Sequence, residues 1–115
     1  MRIRYPILAA ALAIFAHALC SAMSATDYVK VRDEEGLRLY VNGVGTGYMW
    51  ANASLVEDGK PPLFCQPIGL PPANFLEVVD RKLDAMRKSN TFKESTTIEL
   101  ALLYGLKDAF PCRKQ

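Results

Sequence analysis

Leu37-Arg38-Leu39-Tyr40-Val41-Asn42-Gly43-Val44-Gly45-Thr46-Gly47-Tyr48-Met49-Trp50-Ala51-Asn52-Ala53-Ser54-Leu55 is the stretch from which the fold is read. Leu37, Val41, Val44, Tyr48, Ala51 and Leu55 recur at alternating steps of four and three, which sets them along one stripe of an α-helix. The flanking residues supply its ends. Asp33 can cap the start, Glu34 and Glu35 suit the positive end of the helix dipole, and Gly59 can take the left-handed conformation just past the last turn. Gly43, Gly45 and Gly47 each cost the helix ~1 kcal/mol relative to alanine. Their presence predicts that another helix packs close and that the segment depends on tertiary contacts.

Two further helices follow from the same periodicity. Beyond Pro71-Pro72, Leu76, Val79, Leu83 and Met86 share a face, while Arg81, Lys82, Asp84 and Arg87 lie elsewhere around the cylinder. Arg87 and Lys88 complement the C-terminal end and Asn90 can terminate it. The last segment opens at Thr96 with Glu99 three residues on, the pattern of a capping box, and runs through Ile98, Leu102, Leu106 and Ala109 to a stop at Pro111. Tyr28 to Arg32 alternate too briefly for a strand and read as an extended lead-in. The loop from Gly59 to Pro72 holds five prolines and two glycines and has no strand pattern. With no internal repeat and no long linker, residues 26–115 form one all-α domain, a small helical bundle of about three main helices.

Residues 1–25 are expected to be a secretory signal peptide. Arg2 and Arg4 make a basic start, an apolar run spans Ile7 to Leu19, and small residues follow, with cleavage between Ala22 and Ala25. The run is shorter than the ~18 residues of a membrane span, so no stable membrane anchor is expected after processing. Leu19 directly before Cys20 argues against lipid attachment, and His17 leaves with the leader. Lys and Arg then balance Asp and Glu, which gives no general attraction to nucleic acid or membrane surfaces. Two cysteines remain, Cys65 and Cys112, and an even count in an exported chain is most simply one disulfide. Two inert buried thiols or a redox pair are the alternatives, although neither cysteine stands in a Cys-x-x-Cys arrangement. A closed loop of about 48 residues would stabilise the fold by roughly 4 kcal/mol in the chain-entropy account.

Chemistry-bearing constellations are sparse. Without His17 the chain has no histidine for a Ser-His-Asp or Cys-His centre, and a disulfide would consume both thiols. The run Gly43 to Gly47 has neither the dinucleotide fingerprint nor the Lys-Ser/Thr of a phosphate loop. Glu77, Asp80, Asp84 and Glu99 could furnish a carboxylate pair, yet each sits where a solvated helix face would put it. These residues predict a binder with no catalytic residues, no metal and no cofactor. Trp50 and Tyr40 lie off the Leu37-to-Leu55 stripe; a second packing face is favoured for them over an exposed anchor. Asn52-Ala53-Ser54 matches a glycosylation acceptor within the expected helix.

Four pieces in fixed order carry a family resemblance: Tyr40 to Gly47, Phe64-Cys65-Gln66-Pro67, Val78-Val79 to Leu83, and Leu103 to Cys112 with its closing Phe110-Pro111-Cys112. Together they resemble the Rap/Tai immunity proteins. The resemblance implies a periplasmic helical protein that protects a bacterium from a type VI secretion effector, a peptidoglycan amidase, by occluding its active site. The matching residues build the fold, so none carries over as an inhibitory contact. The expected contact surface is instead Glu57, Asp58, Lys60 and Pro61, at the end of the first helix and the adjoining loop, since exposed loops on a rigid scaffold commonly bind. A small periplasmic chaperone or stress protein, holding clients on apolar helix faces, is the alternative. A homodimer is left open.

Overall fold

The computed structural model describes residues 22–65 and 73–113. His17 and Cys20 of the leader, and positions 66–72 of the proline-rich loop, lie outside them. The described residues form an all-α fold of four helices: α1 (Ala25–Lys30), α2 (Glu35–Glu57), α3 (Ala73–Lys88) and α4 (Ile98–Ala109).

Helix α1 occupies the segment expected as an extended lead-in. The Ser24 Oγ accepts the Asp27 N–H at 3.1 Å and caps the helix, and Asp27 stands in its first turn. The apparent alternation of Tyr28, Val29, Lys30 and Val31 is resolved by burial: Tyr28 is 2% exposed, whereas Val29 is exposed. The Tyr28 hydroxyl donates to Asp80 of α3, and Arg32 grips the same carboxylate through Nε and Nη2, the latter at 2.7 Å. A short helix too weak to nucleate alone is thus held by its tertiary contacts.

Helix α2 ends where Gly59 adopts φ +69°, as its sequence predicts. Its start differs. Glu34, not Asp33, is the N-cap residue, without a side-chain cap bond, because the turn from α1 sets the entry of the chain; Asp33 lies fully exposed beside Arg32. The buried stripe is Leu37, Val41 and Gly45, while Val44, Tyr48 and Leu55 are half-buried and Ala51 is exposed. The stripe turns onto Gly45 because α3 packs there: a Cβ at that position would stand 2.7 Å from the Phe75 ring. Close approach therefore accounts for Gly45, but not for Gly43 or Gly47, around which a Cβ would meet nothing within 4 Å.

Helix α3 buries Phe75, Leu76, Val78, Val79 and Leu83 and gives way at Asn90, which takes φ +60°. Helix α4 buries Ile98, Ala101, Leu102, Gly105 and Leu106. It packs tightly on α3 at Gly105, where a Cβ would lie 2.6 Å from Val78 Cγ1 and 3.1 Å from the Val78 carbonyl oxygen. The expected capping box does not form. Thr97 is the N-cap residue, the Thr96 hydroxyl accepts the Lys93 N–H at 3.2 Å, and the Glu99 carboxylate is drawn away to Met23 and Tyr40.

The disulfide joins Cys65 to Cys112 with their Cα atoms 4.9 Å apart. It ties the loop after α2 to the end of α4, as the order of elements predicts. The Cys65 N–H also donates to the Phe110 carbonyl at 2.8 Å, and these links deliver Phe64, 1% exposed, into the core. Leu63, one residue earlier, stays 40% exposed.

Candidate protein-binding surface

Helical geometry divides α2 into two faces. With the stripe of Leu37, Val41 and Gly45 turned inward, Leu39, Gly43, Thr46, Trp50, Ala53 and Glu57 follow one another along the opposite side, and all six are exposed. Between Arg38 and Glu57 the helix carries no charged residue. At 1.5 Å per residue, the uncharged face from Leu39 to Ala53 is about 21 Å long. Trp50 is its largest side chain and is 73% exposed, with Leu39 at 63%. The aromatic ring thus stands outside the core, correcting the expectation of a second packing face. The signal available in the sequence was the spacing of eleven residues between Leu39 and Trp50, which returns a helix to nearly the same direction.

Glu57, Asp58, Lys60 and Pro61 extend this face. Glu57 lies seven residues beyond Trp50, roughly 10 Å along the same side. The Asp58 N–H donates to the Ser54 carbonyl, Gly59 turns the chain, and the Lys60 N–H returns to the Leu55 carbonyl at 2.8 Å. The Lys60 ammonium then pairs with Asp58 at 3.2 Å, both side chains remaining exposed. The structure brings the four residues into one exposed turn. Asn52 anchors the strand of loop that follows: its amide donates to the Phe64 carbonyl at 2.7 Å and its oxygen accepts the Leu63 N–H at 2.6 Å. Asn52 of the Asn-x-Ser triplet is therefore engaged inside the fold.

The chain matches no protein-family model, no curated protein and no solved structure. The reading of this surface therefore rests on its own chemistry.

The carboxylates of interest do not converge. Asp80 is taken by Tyr28 and Arg32, Asp84 pairs with Lys88, and Glu99 accepts from Tyr40 and the Met23 amide. Among the described residues no group of three His, Cys, Asp or Glu side chains is placed to hold a metal ion, and no helix is long and apolar enough to cross a membrane. Three phenols are among the perturbed groups. Tyr40 is pushed up to about 12, first by its hydrogen bond to Glu99 and then by burial. Burial, followed by the bond to Asp80, holds the Tyr28 hydroxyl well above the ordinary tyrosine range. Tyr48, whose hydroxyl donates to the Glu99 carbonyl at 2.9 Å, is raised by burial and by the Glu99 charge. Each shift stabilises a neutral hydroxyl in a tertiary hydrogen bond, which is structural work.

Proposed function

We propose that the chain is an exported protein-binding domain that inhibits a peptidoglycan amidase by covering its active-site cleft, in the manner implied by its resemblance to the Rap/Tai immunity proteins. The single observation that carries binding is the exposed, uncharged α2 face centred on Trp50. An exposed tryptophan among small residues desolvates at little cost and supplies a rigid anchor, while Glu57, Asp58 and Lys60 form a charged rim at one end of the face. The choice of an amidase as partner rests on the ordered motifs from Tyr40 to Cys112, and the periplasm as its place on the leader and the disulfide.

The test is titration of the purified domain against an amidase effector, by calorimetry and by peptidoglycan turnover. A saturable one-to-one complex that loses affinity in Trp50→Ala and Thr46→Arg, with circular dichroism unchanged, supports the reading. Inhibition that survives both substitutions removes the α2 face as the inhibitory surface. Weak binding of many unfolded chains, without inhibition, would favour the chaperone alternative.

A further inference from the structure

The segment ahead of α1 is built into the domain. The Met23 carbonyl accepts the Ile98 N–H at 3.0 Å, the Ala25 N–H donates to the Thr96 carbonyl at 2.7 Å, and Ser24 pairs antiparallel with Thr97. Ala25 is fully buried, Met23 packs against the core, and Ala22 is exposed. Met23 is thus held by the fold.

At that point the Met23 amide N–H donates to Glu99 Oε1 at 3.0 Å. The same oxygen accepts the Tyr40 hydroxyl. Glu99 Oε2 is shielded from solvent and has no hydrogen-bond partner, and among the described residues no lysine or arginine lies within ion-pair distance of it. A shielded carboxylate oxygen without a donor is costly. What this site lacks is a cation with N–H groups to spare, placed next to Oε1.

We propose that the leader is cut between Ala22 and Met23 and that the α-ammonium so formed pairs with Glu99, completing the fold. In the cut, a peptidase of the export machinery adds water across the Ala22–Met23 bond. Ala22 leaves with the new carboxylate, and the Met23 nitrogen gains protons to become a primary ammonium. An atom already 3.0 Å from Oε1 changes from a neutral donor with one N–H to a cation with three. Glu99 gains both charge compensation and donors for its second oxygen.

The other cuts within the small-residue exit are worse for the fold. Cleavage after Ser24 or Ala25 deletes the Ser24 cap of α1 and the Met23 bonds to Ile98 and Glu99. A cut after Ala25 would also place the bulky Met23 three residues before the scissile bond, where export peptidases take small side chains; the cut after Ala22 places Cys20 there. The inference rests on the exported reading of the chain, and its experiment separates the two.

The full chain is expressed with export, and the product is identified by intact mass and N-terminal sequencing. A product starting Met23-Ser24-Ala25 is expected. One starting at Ala25 or Thr26 overturns the cut site while leaving export standing, and an uncut chain refutes export itself. The pairing is then read from urea unfolding of protein starting at Met23 and of protein extended by Gly-Ser, each in wild-type and Glu99→Gln backgrounds. The extension should raise the unfolding equilibrium constant about tenfold in wild type and less than about twofold in Glu99→Gln, as expected for loss of a charge-assisted bond. Equal effects in both backgrounds overturn the pairing. If Glu99→Gln fails to fold, the Met23 α-amine is titrated by NMR in the wild-type domain. Its titratable neighbours are Glu99 on α4, Tyr40 and Tyr48 on α2 and Asp27 on α1. A midpoint above the ordinary 7.7–8.0 supports the pairing, and one within it overturns it.

Discussion

Alanine at Gly45 should destabilise the domain, while alanine at Gly43 or Gly47 should stabilise it. All three substitutions gain the same helix propensity, about 1 kcal/mol, because they lie in the interior of one 23-residue helix. At Gly43 and Gly47 nothing opposes that gain, since a Cβ meets no atom within 4 Å. At Gly45 the new carbon would lie 2.7 to 2.8 Å from three ring atoms of Phe75. That ring is 1% exposed and enclosed by the core, so relief requires α2 and α3 to separate or the ring to leave its rotamer. Such overpacking costs about 1–3 kcal/mol. The net change at Gly45 is a loss of up to about 2 kcal/mol, and the gap from Gly43→Ala is about 1–3 kcal/mol. Urea unfolding at neutral pH under oxidising conditions reads this as midpoints moving in opposite directions at unchanged m. Adding Phe75→Leu to Gly45→Ala should recover part of the loss, a non-additivity that marks direct contact. Equal stabilisation by all three alanines would refute the close packing of α2 on α3.

Reducing the Cys65–Cys112 bond, which spans 47 positions, should cost about 4 kcal/mol and shift the urea midpoint sharply downward; an unmoved midpoint would show that the bond constrains little. Stability should fall as pH rises from about 10 toward 12, because Tyr28, Tyr40 and Tyr48 keep their protons in the fold after unfolded tyrosines have lost theirs. Their contribution is complete below the unfolded value, and Tyr28, 2% exposed, alone sets a slope of about 1.4 kcal/mol per pH unit above it, which Tyr28→Phe should remove. Trp50→Ala should change stability by less than about 0.5 kcal/mol, the ring being 73% exposed, yet weaken partner binding by about 30-fold or more.

The helical period was enough to place α2, α3 and α4 and to identify Leu37, Val41, Val79, Leu83, Leu102 and Leu106 as core, because each faces a neighbour that its own periodicity anticipates. The residues misread were those whose role depends on a contact far along the chain. Six residues of α1 carry too little periodicity to declare a helix, and only the reach of Tyr28 and Arg32 to Asp80 explains it. Gly43, Gly45 and Gly47 are alike in sequence, and the position of Phe75 alone separates the packed glycine from the exposed pair. On the candidate surface, Glu57 to Pro61 were legible because an exposed turn after a helix is a local property. The exposure of Trp50 was not, since it depends on which neighbours α2 acquires.

Glu99 shows how a local signal loses to a distant one. The pattern Thr96-x-x-Glu99 offers a reciprocal cap at the start of α4, a bond near solvent worth about 1 kcal/mol. The same carboxylate can instead accept the Met23 N–H and the Tyr40 hydroxyl, and the structure takes that option. Water can satisfy the amides at an exposed helix start, whereas the half-buried Met23 N–H left without Glu99 would forfeit about 1–3 kcal/mol. The larger penalty decides. Its consequence reaches beyond one helix end, because Glu99 then joins Met23, α2 through Tyr40 and Tyr48, and the first turn of α4. The exposed face of α2 is held in register by bonds from Tyr40 and Tyr48 of the same helix. The rigidity of the candidate surface in so small a domain therefore depends on the carboxylate that receives the Met23 N–H.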